Sequence, residues 1–272
     1  MRLISRISFS ISKSLYFISE KLYRLIAIFD ALNVAVLTPE EMVDIGRRAY
    51  NRLSEQFGSE EAIRTGLVDW ENEVVTRFCQ KKSSFLVLGC GGGREVIALA
   101  KMGFFVVGID SSSMMLEIGR VNAQREKVTV DFREGDFLSP DTGKDKFSYC
   151  LLSCVMYSSV PSRQMRVAML RQIRNVLEDK GILIIHFLLD SKKVNSRWHA
   201  AKKKIASLFR GNVTYSPGDT FSTSLHFMRY FPSDKEIVLE AKEAGFLVQA
   251  KGVFPESEYM VLSLEGSSLI GS

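Results

Sequence analysis

Residues 85–110, which read FLVLGCGGGREVIALAKMGFFVVGID, constrain the fold of this chain most strongly. The short apolar run Phe85–Leu88 leads into a turn of four glycines and one cysteine. Apolar residues then recur at helical spacing, and Phe104–Ile109 is again an uninterrupted apolar run, as expected of a parallel strand covered on both faces. The pattern predicts a strand, a helix and a second strand, which together form a βαβ unit.

The glycines of this turn indicate what the unit could bind. Gly89, Gly91 and Gly93 give the pattern G-x-G-x-G, whereas the dinucleotide fingerprint needs a glycine at position 94, where Arg94 stands. The turn still lets a ligand approach the backbone and the amides of the following helix. Asp110 closes the second strand, where an acid can hold ribose hydroxyls. Together these features favour an adenosine-type ligand and disfavour a nicotinamide cofactor.

Further motifs follow in a fixed order along the chain. They are Asp110–Leu116, Gly135–Phe137, Phe147–Ser153 and Met169–His186. With the glycine unit, this set resembles the class I S-adenosylmethionine-dependent methyltransferases over about residues 65 to 264. The resemblance implies a Rossmann-like α/β fold: a doubly wound, seven-stranded, mostly parallel sheet with an antiparallel last strand. It also implies S-adenosyl-L-methionine as the cofactor.

The resemblance assigns roles to individual residues. Asp136 would accept the adenine amino group and Phe137 would pack on the adenine ring, while Tyr157 and His186 are the candidate catalytic residues. The cofactor-binding residues that it implies are Gly89, Cys90, Gly91, Gly93, Glu95, Asp110, Ser111, Met115, Asp136, Phe137 and Ser153.

One position departs from the family pattern. Most members carry an acid two residues before the first glycine, where it helps to hold the ammonium group of the cofactor, but this chain has Val87 there. We expect Glu95, at the start of the following helix, to carry part of that role. The alternative is that Glu95 only complements the positive end of the helix.

The expected reaction is methyl transfer by direct displacement, which needs a general base only when the acceptor is protonated. The sequence lacks Asp/Asn-Pro-Pro-Tyr after the fourth strand and lacks any Pro-Cys dipeptide, so nucleic acid is not expected as a partner. A small-molecule, lipid or protein acceptor remains open. The alternative function is a non-catalytic S-adenosylmethionine-binding scaffold or regulator.

Residues 1–37 form a basic amphipathic segment that precedes a helix start at Thr38. This arm is open to three interpretations: a helix packed on the body or a partner, a membrane-surface helix, or a targeting segment. The expected organisation continues with a helical cap at 38–80, a methyltransferase domain at 81–264 with a lid-like insert at about 190–230, and a tail at 265–272. Within these parts the sequence predicts one helix over about Glu60–Cys79, a helix capped by Ser113 and a strand over Val128–Arg133.

The net charge of +5 and the pI near 9.0 are too modest to identify a partner. The four cysteines include no C-x-x-C pair, so no metal site is expected and the thiols are expected to be reduced. We therefore expect a cytoplasmic protein, with membrane association through residues 1–37 left open.

Overall fold

The computed structural model describes residues 2–52, 59–190, 204, 206–208, 211–212, 214, 216–221, 226–254 and 257–264. Within the insert predicted at about 190–230, most of residues 191–225 lie outside these ranges, and so does all of the predicted tail. Among the described residues, no helix is long and apolar enough to cross a membrane.

The helices surround a central sheet. They are α1 (Arg2–Val36), α2 (Pro39–Arg52), α3 (Glu60–Thr65), α4 (Asp69–Phe78), α5 (Arg94–Lys101), α6 (Ser113–Arg125), α7 (Arg163–Val176) and α8 (Lys235–Glu243), with a short 3-10 turn at Met156–Ser159. The strands are β1 (Ser84–Leu88), β2 (Phe105–Asp110), β3 (Asp131–Glu134), β4 (Phe147–Leu152), β5 (Leu177–Leu189), β6 (Asp219–Phe221), β7 (Phe227–Phe231), β8 (Phe246–Val253) and β9 (Ser257–Leu264).

The sheet has the topology that the sequence predicts. Strands β3, β2, β1, β4 and β5 are neighbours in that order and run parallel. Strand β9 pairs antiparallel with β5 and β8 pairs antiparallel with β9, so β9 alone opposes the other six of these strands. This confirms the seven-stranded, mostly parallel sheet with an antiparallel last strand. A hairpin of β6 and β7 adds to it, with β7 parallel to the last two residues of β5.

Two apolar cores cover the two faces of the sheet, as expected of strands that are apolar on both faces. One core holds Leu86, Leu88 and Leu183 beneath α7 and α8. The other holds Phe85 and Val87 beneath α4, α5 and α6. Because the parallel strands are fixed from both sides, their carboxyl ends form a rigid edge, where open α/β sheets bind their ligands.

The helix start at Thr38 is confirmed. The Thr38 hydroxyl accepts a hydrogen bond from the Glu41 backbone N–H at 3.2 Å, and the Thr38 N–H donates to the Glu41 carboxylate at 2.8 Å. These reciprocal bonds form a capping box, so α2 begins anew after α1.

Three predicted boundaries were wrong. The single helix expected over Glu60–Cys79 is two helices, because the chain turns at Gly66 with φ +61°. The cap of α6 is Ser112 rather than Ser113, since the Ser112 hydroxyl accepts from the Met115 N–H. The strand expected from Val128 begins only at Asp131.

Candidate functional site

The glycine turn after β1 requires glycine on steric grounds. Gly89 and Gly91 have φ of +74° and +47°, which side-chain-bearing residues rarely adopt. A Cβ at Gly89 would lie 1.9 Å from the Met156 sulfur, and a Cβ at Gly91 would lie 3.3 Å from the Met115 methyl group. The turn therefore presents bare backbone at the carboxyl edge of the sheet.

Asp110 ties this turn to the end of β2. Its Oδ2 accepts the Gly91 backbone N–H at 2.8 Å, and its Oδ1 accepts the Ser112 N–H at 2.9 Å. Burial raises the pKa of Asp110, and the backbone hydrogen bonds from Ser112, Gly91 and Ser111 oppose that rise. Each oxygen keeps acceptor capacity beyond these bonds, so the carboxylate can still receive hydroxyl donors from a ligand.

A buried carboxylate cluster, formed by Glu71, Arg94, Glu95 and Ser153, lies beside the turn. The Arg94 guanidinium donates to both oxygens of Glu71, at 2.7 and 2.8 Å, and to Glu95 Oε1 at 2.7 Å. The Ser153 hydroxyl donates to the same Glu95 oxygen. Glu71 and Glu95 are only 2% and 4% exposed.

The carboxylate cluster pairs two acids with one cation. Burial raises the pKa of Glu95, Arg94 lowers it, and the neighbouring Glu71 raises it. With both acids ionised, the cluster keeps one uncompensated negative charge in a buried place, and such a charge is costly unless a cation arrives. The site therefore favours a positively charged ligand group.

The opposite end of the edge is covered by α2. Arg47 Nη2 lies 2.6 Å from Asp136 Oδ2, while Asp136 Oδ1 accepts the Leu138 N–H at 3.0 Å. Phe137 is partly buried against the core. Burial raises the pKa of Tyr50, also on α2, to about 12, and the neighbouring Cys154 and Asp110 add to the rise. The Tyr50 hydroxyl thus lies near Asp110, at the end of β2, and near Cys154, just after β4.

Comparisons with known proteins agree with this geometry. A family model described as "Methyltransferase domain" matches residues 85–181, which include the glycine turn and Asp110. The "Ubiquinone biosynthesis O-methyltransferase" of Histophilus somni is 29% identical over 102 residues, covering 36% of this chain and 42% of that enzyme. The chain thus matches less than half the length of this relative.

A second relative and a solved structure extend the comparison. The "Ribosomal protein L11 methyltransferase" of Thermotoga neapolitana is 26% identical over 128 residues, covering 47% of this chain and 45% of that protein. The crystal structure of a Burkholderia thailandensis 1,6-didemethyltoxoflavin-N1-methyltransferase with bound S-adenosylhomocysteine has a TM-score of 0.60 at 15% identity, covering 84% of this chain and 90% of that chain. Residues 85–181 match a methyltransferase domain, and the fold is that of S-adenosylmethionine-dependent methyltransferases.

The residues at the edge of the methyltransferase domain fit S-adenosylmethionine. Asp110 offers acceptors to ribose hydroxyls, and the carboxylate cluster offers negative charge to a cationic amino-acid end. These residues thus offer acceptors for the hydroxyl groups and for the ammonium group of the cofactor.

The structure brings most of the predicted cofactor residues to this one edge, but these residues have different roles there. The Cys90 side chain points away, because its sulfur lies 2.8 Å from where a Cβ on Gly108 would stand; only its backbone borders the turn. Met115 is 2% exposed and supports the turn from below, whereas Ser111 is exposed beside Asp110.

The structure does not bring Tyr157 to the site. Tyr157 is fully buried, and its hydroxyl donates to Glu240, which is also paired with Arg166 at 2.7 Å. Burial raises the pKa of Tyr157, with Glu240 adding to the rise. We therefore drop Tyr157 as a catalytic candidate, because its hydroxyl is committed to a buried network between α7 and α8.

His186 lies at the edge of the methyltransferase sheet, two residues beyond the last β5 residue paired with β4. Its ring lies 4.8 Å from the Trp70 ring, which in turn stacks on Tyr259. Both ring nitrogens are buried, and neither is bonded to a side chain within the described part of the chain, while the Cys154 backbone lies close enough to act on the ring. Burial lowers the pKa of His186, and the nearby Glu71 and Cys154 backbone oppose the shift. The imidazole is therefore neutral at pH 7.

Sequence reasoning missed Glu71 and Arg47. Glu71 lies 23 residues before Arg94, in the first turn of α4, where acids are common for helix-dipole reasons alone. Arg47 is one of two adjacent arginines on α2. Neither residue has a local sequence signal that marks it as part of the site.

No group of three or more His, Cys, Asp or Glu side chains suited to a metal ion occurs in the described ranges. The four cysteines are free, and burial raises the pKa of Cys90 and Cys150. These two thiols are thereby held in the unreactive protonated form.

Proposed function

We propose that this protein transfers the methyl group of S-adenosylmethionine to a hydroxyl oxygen on an apolar, ring-containing acceptor, with His186 as the general base. The single observation that carries the proposal is the position of the His186 imidazole, which lies buried beside the Trp70 ring at the carboxyl edge of the sheet, with neither ring nitrogen bonded to a side chain of the described residues.

The cofactor would be held along the carboxyl edge. Asp110 would receive the ribose hydroxyls, Asp136 the adenine amino group, and the carboxylate cluster the ammonium group. S-adenosylmethionine supplies a methyl group that is carried on a sulfonium sulfur. When this methyl group is transferred, the rest of the cofactor leaves as a neutral thioether. The protein therefore has to orient the acceptor, exclude water and take up one proton.

His186 is suited to take up that proton. A hydroxyl acceptor is protonated at neutral pH, so its oxygen needs a base as the new bond forms. Because burial lowers the pKa of His186 below its ordinary value of 6.5, the ring is available as an acceptor at pH 7. A neutral imidazole keeps a lone pair on one ring nitrogen, and that nitrogen can accept the hydroxyl proton.

The rings of Trp70 and Tyr259 support an apolar acceptor. They stack at 5.2 Å with an interplanar angle of 13°, and Trp70 borders His186. These rings make the surroundings of His186 apolar, which suits an apolar acceptor better than a charged one. The name of the Histophilus somni relative also specifies oxygen as the atom that it methylates.

The experiment measures transfer of a labelled methyl group from S-adenosylmethionine to matched naphthalene acceptors that carry a hydroxyl, an amine or a thiol. We expect transfer to the hydroxyl compound, and at least a tenfold lower rate in His186→Asn with unchanged affinity for S-adenosylhomocysteine. Transfer to the amine alone, or a rate that His186→Asn leaves unchanged, would contradict the proposal. Binding of S-adenosylhomocysteine without transfer to any acceptor would favour the non-catalytic alternative.

A further inference from the structure

Helix α1 exposes a stripe of large apolar side chains. Six of them follow one another at spacings of three or four residues and are each 50% to 60% exposed: Ile11, Leu15, Ile18, Leu22, Leu25 and Phe29. Residues at this spacing share one face of a helix. An apolar face of this length is costly in water, so it requires a partner.

Within the described part of the chain, the last turn of α1 packs on the rest of the protein. Val34 and Ala35 are fully buried, and Val34 clusters with Met42, Phe221 and Phe227. The Ala35 carbonyl also accepts the Asn212 N–H at 3.1 Å. The helix is thereby anchored at one end, while the apolar stripe upstream contacts none of the described core clusters.

The charges of α1 indicate which partner the stripe meets. The helix sequence contains five cations (Arg2, Arg6, Lys13, Lys21 and Arg24) and two acids (Glu20 and Asp30), a net charge of +3. The Lys21 ammonium lies 4.6 Å from the centre of the Phe17 ring, so its stem follows apolar surface while its charge stays outside. Basic residues beside an apolar stripe match an anionic lipid surface.

We propose that α1 lies in the plane of an anionic phospholipid membrane, with the stripe from Ile11 to Phe29 in the acyl boundary and the basic residues at the headgroups. Aromatic side chains that border the stripe fit an interface, since Tyr16 and Tyr23 are 76% and 66% exposed. A second copy of α1 fits less well. The positions that flank the stripe (Ser12, Ser14, Ser19, Lys21 and Ile26) offer no pattern of complementary charges for a coiled coil.

The placement has a consequence for the site. Only Leu37 and Thr38 separate α1 from α2, and α2 carries Arg47 and Tyr50 over the cofactor edge. If α1 lies on the membrane, the cofactor edge covered by α2 would therefore lie one helix away from the membrane surface. The membrane proposal itself does not depend on the identity of the acceptor.

The test is co-sedimentation of the full chain with vesicles of phosphatidylcholine alone and vesicles that also contain phosphatidylglycerol. We expect binding to the anionic vesicles, weaker binding at high salt, and a bound fraction at least tenfold lower for the triple variant Ile11→Ser, Ile18→Ser, Leu22→Ser. The matched control changes three equally exposed apolar residues elsewhere, Val121, Leu239 and Val253, to serine and should bind as the wild type does.

Lys13→Gln combined with Lys21→Gln should weaken binding to the anionic vesicles without changing the fold, as judged by circular dichroism. Equal binding by wild type and the α1 triple variant would overturn the proposal. A second result would also overturn it: the wild type is a dimer by light scattering, the α1 triple variant is a monomer, and neither protein binds vesicles. The stripe would then be an interface between copies.

Discussion

Replacing Glu95 by glutamine tests whether the carboxylate cluster recognises the ammonium group of the cofactor. Glu95 shares Arg94 with Glu71, so the cluster holds two acids and one guanidinium. Glu95→Gln leaves the Glu71–Arg94 pair neutral and removes the charge that an ammonium group would meet. A charge-assisted bond of this kind contributes about 1.5–3 kcal/mol. Affinity for S-adenosylhomocysteine should therefore fall by about 10- to 150-fold.

The same substitution should change stability little. Arg94 keeps both hydrogen bonds to Glu71, so no buried cation is left without a partner. The loss of a negative charge in the first turn of α5 costs about 0.3–1 kcal/mol of unfolding free energy. The removal of a buried charge that burial disfavours acts in the opposite direction. Glu117→Gln, on the exposed surface of α6, is the matched control and should change neither affinity nor stability appreciably.

Calorimetry with two ligands makes the test specific. S-adenosylhomocysteine carries the amino-acid end, whereas methylthioadenosine keeps the adenosine and lacks the ammonium group. We expect Glu95→Gln to weaken the first ligand and to leave the second unchanged. A folded variant that binds S-adenosylhomocysteine as tightly as the wild type would refute the reasoning and reduce Glu95 to a partner of Arg94 at the helix terminus.

Three further predictions concern the glycine turn, the proposed base and the buried network of Tyr157. Gly91→Val should abolish binding of S-adenosylhomocysteine, as measured by calorimetry. Gly143 has a similar φ of +62° but lies in open surroundings, so Gly143→Val should cost only about 1–2 kcal/mol of stability, as measured by thermal unfolding. Because burial lowers the pKa of His186, the midpoint of the fall of kcat toward acid pH should lie below the ordinary histidine value of 6.5, while His186→Asn should show no such step. Tyr157→Phe should lose about 1 kcal/mol of stability from its bond to Glu240 and leave kcat unchanged; a large loss of kcat in a folded variant would return Tyr157 to the site.

The central part of the fold could be predicted because its signals are local. The apolar run of β1, the glycine turn and the helical spacing of α5 lie within 26 consecutive residues, and each feature follows from its own sequence. The break between α3 and α4 also had a local signal, because Gly66 is followed closely by Asp69 in the first turn of the next helix. The apolar residues on both sides of Gly66 nevertheless favoured a single continuous helix.

Side-chain partnerships across the fold could not be predicted. Tyr157, Arg166 and Glu240 meet only because α7 and α8 pack together, and Glu240 lies 74 residues after Arg166 in the sequence. The pairing of Arg47 with Asp136 spans 89 residues. Each residue has an ordinary place in its own helix or loop. The partner appears only when the topology of the sheet brings distant elements together.

The most direct test of the account is a calorimetric titration of the full chain with S-adenosylhomocysteine, compared with NADH. We predict saturable binding of one S-adenosylhomocysteine per chain and no binding of NADH. Asp110→Ala should lose most of that affinity, because Asp110 holds the glycine turn and is the residue that we propose receives the ribose hydroxyls. The matched change Asp141→Ala, at another acid that accepts a backbone N–H in an exposed turn, should keep it. Saturable binding of NADH with no binding of S-adenosylhomocysteine would contradict the account.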